Sequence, residues 1–456
     1  MPYTIEIDVH NHSHLMGYGL IQALLSALFI VDKTNNQVTV NILKPADTET
    51  VDGVVLLDQH WLHLLAKFDV TEALLLTDAD ADFVSAQRFE NLQTGQYFYQ
   101  ASSEYGIGFE GFAFNQYFSA SNLTQHSFDS FCLSALLAKH QKFAHPSKDP
   151  TNVASTIEYQ LNCDLNQLCD LLAQRLDKQN VNISKQSQPH DLRFACGLTD
   201  KVNSLRQRRV VLDRSKVSLP DTYYYQHALG HIIISPSHSN VEVCIVASEE
   251  NIDALTDYVC RHVIKHEQIT WQETNASHHM ETTVMSSDGI KLGLSAYANC
   301  YHHIGHMTNL RWDLNRLWQY PIFNGYSQAL ATSFNAQTVL GNSTMNTFYA
   351  LPAYLWNDVQ SVLSQHELDA LTYDLEVFTH TGQLPEIEGR QVESKQWIAL
   401  LMNLGIKQHS VDAIVSHMPT QQIDRQLSQL AQFFSQQSNA FPSKQDYRQT
   451  YLKQHQ

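Results

Sequence analysis

The stretch TIEIDVHNHSHLMGYGLIQALLSALFIV, residues 4–31, decides the fold. TIEIDV alternates apolar and polar positions, the period of a strand. Residues 15–31 are too uniformly apolar for a surface helix and predict one buried on all sides. QVTVNIL follows as a second strand at 37–43, and VVLLDQHWLHLLAKF at 54–68 is a third strand running into another helix. Strand, helix, strand is a βαβ unit, so a parallel sheet is expected.

The turn HNHSHLMG, residues 10–17, lies where such a unit would cradle a dinucleotide. A G-x-G-x-x-G loop works because its first glycine permits the turn, its second admits the pyrophosphate and its third lets helix and strand pack. Those positions are His12, His14 and Gly17. Imidazoles at the first two fill the space a diphosphate needs. The acid that would hold a ribose at the end of the second strand is replaced by Lys44, followed by Pro45. The expectation is a Rossmann-like unit that persists without its ligand, hence no cofactor. A second reading is a metal site. Asp8, His10 and His12 form D-x-H-x-H at a strand end, which resembles the opening motif of metal-dependent hydrolases of the amidohydrolase and PHP types. Imidazole suits zinc, manganese or iron. Further ligands would come from His278 and His279 or from His302, His303 and His306, none convincingly at a strand end, and a chain with 24 histidines forms such clusters by chance.

A chain of 456 residues with 43% hydrophobic content builds a substantial core. Its net charge of −17 argues against broad nucleic-acid binding. One basic stretch (Lys201, Arg206, Arg208, Arg209, Arg214, Lys216) interrupts the acidic chain and reads as a solvated loop and strand. Seven cysteines without CxxC pairs read as free thiols in a reducing compartment. No basic segment precedes the first apolar run, and Gln22 and Ser26 interrupt it, so it reads as neither a secretory signal nor a membrane span. A cytoplasmic protein without membrane or nucleic-acid partners is expected.

Residues 128–177 turn helical around the Pro-bearing loop HPSKDPT, residues 191–300 mix strands with one helix, and the chain after Phe334 is mostly helical. The expected organisation is an α/β domain over 1–333, with a helical part over 334–456 packed on the same domain. TYYYQH, 222–227, reads as a strand, the six tryptophans as packing residues, and the Gln-rich amphipathic helix at 421–437 as packed onto the body.

The segment FCLSALLAKHQKFAHPSKDPTNVASTIEYQLNCDLNQLCDLLAQRL, 131–176, resembles the flavin-dependent tryptophan halogenase family. Lys142, Phe143, Asp149, Pro150, Tyr159 and Leu161 carry the likeness. DALTYDLEVFTHTGQLP, ESKQWIALLMNLGI and FPSKQDYRQTYL resemble the closing helices of that family, with Pro442, Ser443, Lys444, Asp446 and Tyr447 on its "P-S-H-x-D-Y" end. The resemblance implies an FAD-dependent monooxygenase-like, Rossmann-like fold with a helical C-terminal part, FAD as cofactor and a directing lysine in a "T-F-K-x-G-I" segment. In TDADADFVSAQRF, 77–89, the aligned position is Asp82. The family's "W-x-W-x-I-P" becomes HIIISP, 231–236, with His231 and Ile233 for both tryptophans and Pro236 kept. Its catalytic glutamate falls near Asn315, after Asn299, Cys300 and Gly305, and between Asn299 and Asn335 Asp313 is the sole carboxylate. Phe194, Ala195, Cys196 and Gly197 arrive early, without the family's Asp and after a short segment, 179–200.

These departures imply a halogenase-family protein that has lost FAD binding and halogenation, a pseudoenzyme that binds an intact halogenase, a peptide or an aromatic small molecule; the resemblance also implies a homodimer. The alternatives are an active flavin-dependent halogenase or monooxygenase with a rearranged site, and a metal hydrolase using Asp8, His10 and His12.

Overall fold

The structure, a computed structural model, describes residues 3–9, 16–44, 52–108, 111–177, 179–196, 205–217, 222–265, 269–275, 279–298, 307–320, 326–357, 363–387 and 389–455. The chain is a mixed α/β protein of two compact units. Residues 1–82, 160–219 and 229–346 make the first, and 83–159, 220–228 and 347–456 the second.

The first unit grows from β1 (Tyr3–Val9), α1 (Met16–Thr34) and β2 (Val38–Leu43). β1 and β2 are parallel, with Ile5 opposite Val40 and Ile7 opposite Ile42. Leu192–Cys196 flanks β1 in parallel, Gly289–Leu292 continues the sheet beyond it, and Val181–Ser184 closes the side next to β2. Tyr18, Ile21, Leu24, Leu25 and Leu28 of α1 are all at 0% exposure. Each large aliphatic chain buried this way contributes about 1.5–3 kcal/mol, which is why a helix with no polar face is stable here. The helix stops at Asn35 and Asn36, both at positive φ, a conformation asparagine tolerates.

The other face of this sheet is polar. Glu6, nearly sealed, accepts hydrogen bonds from Ser187 Oγ at 2.7 Å and the Gln188 amide at 3.0 Å. Asn41 lies opposite Glu6 in register. The short segment after Ser184 thus lies across a face that most parallel sheets cover with apolar side chains.

A second, antiparallel sheet in the same unit runs Gln272–Asn275, Leu205–Asp213, Asn240–Ser248, Gly230–Pro236. It is tied to α1 through a buried polar triad. Tyr18 donates to Glu242 Oε2 at 2.7 Å, the Val54 amide donates to the same oxygen at 2.8 Å, and Arg209 Nε lies 2.5 Å from Glu242 Oε1. β3 (Val54–Leu57) starts from this triad and pairs antiparallel with Gln160–Asp164.

In the second unit Thr222–His227 lies parallel to Gln87–Asn91, which pairs antiparallel with Tyr97–Gln100. Phe89 stacks on Phe98 at 5.3 Å and on Tyr224 at 4.8 Å. Helix Leu133–Lys139 buries Leu133, Leu136 and Leu137 against Phe434 of helix Thr420–Ala440. The two stretches that carried the sequence resemblance meet: Lys142 pairs with Ser443, Lys142 Nζ donates to the Asn439 and Phe441 carbonyls at 2.7 Å each, and Phe143 packs on Tyr447 at 5.1 Å.

Candidate functional site

Because β1, β2 and the strands Leu192–Cys196, Gly289–Leu292 and Val181–Ser184 are all parallel, their carboxyl ends share one edge, the place where open α/β sheets take ligands. β1 ends at Val9, β2 at Leu43, and the flanking strands at Cys196 and Leu292. Helix α1 starts from this edge, so its first amides and the positive end of its dipole are presented there, an arrangement suited to a diphosphate. Gly17 lies in the first turn of α1. His10, His12 and His14 lie outside the described residues. Lys44 directly follows β2, its amide donating to the Ser184 carbonyl at 2.9 Å. The described part of this edge, the strand ends and the start of α1, is the arrangement at which open α/β sheets take dinucleotides. The residue at the end of β2 supplies a donor where a ribose hydroxyl would ordinarily meet an acceptor.

A buried carboxylate stands beneath the same edge. Asp313, at 0% exposure on helix Thr308–Trp318, accepts from the Gly293 amide at 2.8 Å, and Arg316 Nη1 lies 3.6 Å from its other oxygen. Burial pushes its carboxyl up to about 7 against the opposing pull of Arg316. Gly293 opens the turn after Gly289–Leu292 with φ +54, and a Cβ there would lie 2.8 Å from Gln22 Nε2. Asn315, two residues from Asp313, is exposed. The sequence marked Asp313 as the sole carboxylate in its region but gave no sign that it pins a turn at the sheet edge.

Asp82 is buried in the first unit and its Oδ2 accepts from Arg214 Nη1 at 2.7 Å. Two residues before it, Asp80 accepts from Ser237 Oγ, Ser239 Oγ and the Ser239 amide, each at 2.8 Å, and so caps the turn after Pro236. With Phe83 as the aromatic of the "T-F-K" segment, the residue after it is Val84. Neither Asp82 nor Val84 carries an amine. His231 and Ile233 are both buried in strand Gly230–Pro236.

Asp8 is ion-paired to Arg193 Nη2. Among the described residues no three His, Cys, Asp or Glu side chains converge on a point that could hold a metal. His278, His302, His303 and His306 lie outside the described residues. The basic stretch resolves into ion pairs: Arg206 with Glu249, Arg208 with Asp253 and Glu273, Arg209 with Glu242, and Arg214 with Asp82. Six cysteines are free among the described residues. No described helix is long and apolar enough to cross a membrane.

Residues 19–211 match the family model described as tryptophan halogenase. No curated protein matches the chain in sequence. Among solved structures, BrvH, a flavin-dependent halogenase from Brevundimonas sp. BAL3, superposes with a TM-score of 0.83 at 13% identity, covering 98% of this chain and 99% of that one. A flavin-dependent halogenase from Xanthomonas campestris gives 0.81 at 14% identity, covering 99% and 98%. The tryptophan 6-halogenase SttH from Streptomyces toxytricini gives 0.78 at 13%, covering 98% and 99%.

These matches overturn the expectation of no cofactor. That expectation rested on His12, His14 and Lys44, whereas residues 19–211 match the tryptophan halogenase model and the solved structures that share this fold are of flavin-dependent halogenases. The physical reason lies in what holds a diphosphate. Backbone amides and a helix terminus do much of it, and changed side chains in one turn do not remove them.

Proposed function

From the match of residues 19–211 to the tryptophan halogenase model, we propose that the chain is a flavin-dependent enzyme of the halogenase fold with a rearranged reaction site. FAD is held at the carboxyl edge of the parallel sheet. The observation that carries this reading is the β1–α1–β2 unit, with α1 starting at that edge, in a fold shared over 98–99% of the chain. The backbone at the start of α1 would hold the nucleotide. Bound flavin, once reduced, supplies the electrons with which oxygen is activated.

Halogen transfer of the family's kind does not follow. Asp82 is neutralised by Arg214, Val84 is aliphatic, and Asn315 is not an acid. A carboxylate or a hydrocarbon cannot carry an electrophilic halogen as an amine does. This favours oxygen chemistry without halide. It also supports a second reading in which the chain holds FAD but acts as a non-catalytic companion of an intact halogenase.

The test is to titrate the purified chain with FAD by flavin fluorescence, then to supply reduced FAD, oxygen and either chloride or bromide with indole substrates. Saturable binding with halide-independent oxygen consumption supports the first reading. Binding with no oxygen consumption above free flavin supports the second. No binding overturns both.

A further inference from the structure

The second unit gathers five aromatic rings around one imidazole. His145 follows helix Leu133–Lys139, and its ring centre lies 5.6 Å from that of Phe83, 5.4 Å from Phe143, 5.1 Å from Tyr159, 5.4 Å from Tyr447 and 5.1 Å from Tyr451. Phe83 and Phe143 are buried and stack on each other at 3.9 Å, whereas His145, Tyr159, Tyr447 and Tyr451 are half-buried. Tyr447 and Tyr451 stand one turn apart on helix Lys444–Gln454. The start of that helix is fixed, because Ser443 caps it and Lys444 Nζ donates to the Phe83 carbonyl at 3.2 Å.

Tyr447 Oη and His145 Nδ1 are 2.6 Å apart. With the imidazole proton on Nε2, Nδ1 accepts from the phenol, so a base is already in place on the phenolic proton. A phenol gives up an electron readily only when its proton leaves with it, because the radical cation is a very strong acid. A base in hydrogen-bond contact lets both leave together. The imidazolium that results is stabilised by the surrounding rings, whose centres all lie within the roughly 6 Å over which a cation is attracted to an aromatic face. Tyr18 in the first unit also donates to a base, Glu242 Oε2 at 2.7 Å. There the same transfer would neutralise the carboxylate that compensates the buried Arg209. His145 gains a charge among aromatic rings, whereas Glu242 would lose one that Arg209 needs.

We propose that Tyr447 is a redox-active tyrosine, with His145 as the acceptor of its proton, which intercepts diffusible one-electron oxidants such as organic peroxyl radicals. One electron passes from the phenol to the oxidant, which leaves as the peroxide anion. The Oη–H bond breaks and the proton moves to His145 Nδ1, giving a neutral tyrosyl radical beside an imidazolium. An enediol reductant such as ascorbate then returns one electron, its own proton passing to water, and His145 hands its proton back to Oη. Half-burial admits a small oxidant, while Phe143 and Phe83, 5.1 and 6.0 Å from the Tyr447 ring, shield the radical from coupling with a second one. The pair lies wholly within the second unit and does not depend on the flavin reading.

The test uses the full chain, oxidised in deaerated buffer by azide radicals from pulse radiolysis and read by absorption and, after freezing, by high-field electron paramagnetic resonance. A single tyrosyl signal is expected, with the g-shift of a radical that accepts a strong hydrogen bond, and it should disappear in Tyr447→Phe. In His145→Gln, its folding checked by circular dichroism, the amide still accepts a hydrogen bond but cannot keep a proton. The tyrosyl lifetime should there fall at least about tenfold. The same signal in Tyr447→Phe, or an unchanged lifetime in His145→Gln, would overturn the proposal. Should either variant fail to fold, the unaltered chain decides. It is oxidised with a nitroso spin trap present and digested with trypsin, which cuts after Lys444, Arg448 and Lys453 and so separates Tyr447 from Tyr451. Adduct mainly on the peptide Gln445–Arg448 supports the site, and adduct mainly elsewhere removes it.

Discussion

The Asp82 carboxylate and the Arg214 guanidinium meet at 2.7 Å, with the aspartate side chain 5% exposed and the arginine 20%. Arg214 also donates to the Ser237 carbonyl, so it is anchored on the turn that Asp80 caps. The position that the family resemblance assigned to a reactive amine is therefore one half of a structural ion pair.

Breaking that pair should destabilise the chain without touching flavin affinity. Asp82→Asn removes the charge that compensates Arg214 and should cost about 2–3 kcal/mol, below the full value for a sealed pair because Arg214 reaches solvent. Asp82→Lys places two cations together and should cost more, with no gain of halogenating activity. Urea unfolding alongside product analysis checks both, and halogenated product from Asp82→Lys would contradict the assignment.

Asp313 predicts a pH dependence of stability. Its folded-state value of about 7 lies above the ordinary carboxylate value of 3.8. The stability this group contributes is thus fully present below pH 4 and is lost as pH rises through 7. At 1.36 kcal/mol per unit, the loss reaches at most about 4 kcal/mol. Asp313→Asn keeps an acceptor for the Gly293 amide and removes the ionisation, so the variant should gain stability on the wild type from pH 5 to pH 8. Parallel denaturation curves for both proteins across that range would refute the assignment.

Lys44 directly follows β2, at the strand end beside which a ribose hydroxyl would lie if FAD occupies the sheet edge. Lys44→Asp supplies an acceptor, and a charge-assisted hydrogen bond of about 1.5 kcal/mol corresponds to roughly tenfold tighter binding. Fluorescence titration of both proteins reads this directly. Unchanged or weaker affinity would put the ribose elsewhere.

Gly382 closes helix Gln365–Thr381 at φ +69, and a Cβ there would fall 1.7 Å from Gln408 Oε1 and 2.4 Å from Gln116 Nε2. Gln408 Nε2 donates to the Asn115 carbonyl at 3.2 Å, so it cannot move away without losing that bond. Gly382→Ala should cost at least about 2 kcal/mol, from left-handed backbone strain plus the displaced glutamine. The midpoint of urea unfolding measures it.

The fold was legible where the sequence is periodic. TIEIDV and the uniformly apolar run after it gave β1 and α1, and TYYYQH gave the strand Thr222–His227. The meeting of Lys142 with Ser443 was not legible, since nothing local in either stretch points to the other. The site was less legible for a physical reason. Side chains in a turn are visible in a sequence, whereas the backbone amides and helix end that hold a diphosphate are not, so His12 and His14 alone do not decide whether a nucleotide binds. Asp313 was visible as an isolated acid, but its burial depends on α1 and on the turn at Gly293, which lie far from it along the chain.

The interleaving of the two units governs how the chain can be made. β1 leaves the ribosome long before Leu192–Cys196, the strand on one of its flanks, and the first unit still lacks Gly289–Leu292 when that pair has formed. The second unit, begun at residue 83, waits for helix Thr420–Ala440 to cover Leu133 and Leu137. Neither core can seal in the order of synthesis. Non-local parallel pairing of this kind slows folding and leaves apolar strands uncovered meanwhile. Production of this chain should therefore respond more to chaperone supply and lowered temperature than a protein of equal size whose domains follow one another in line.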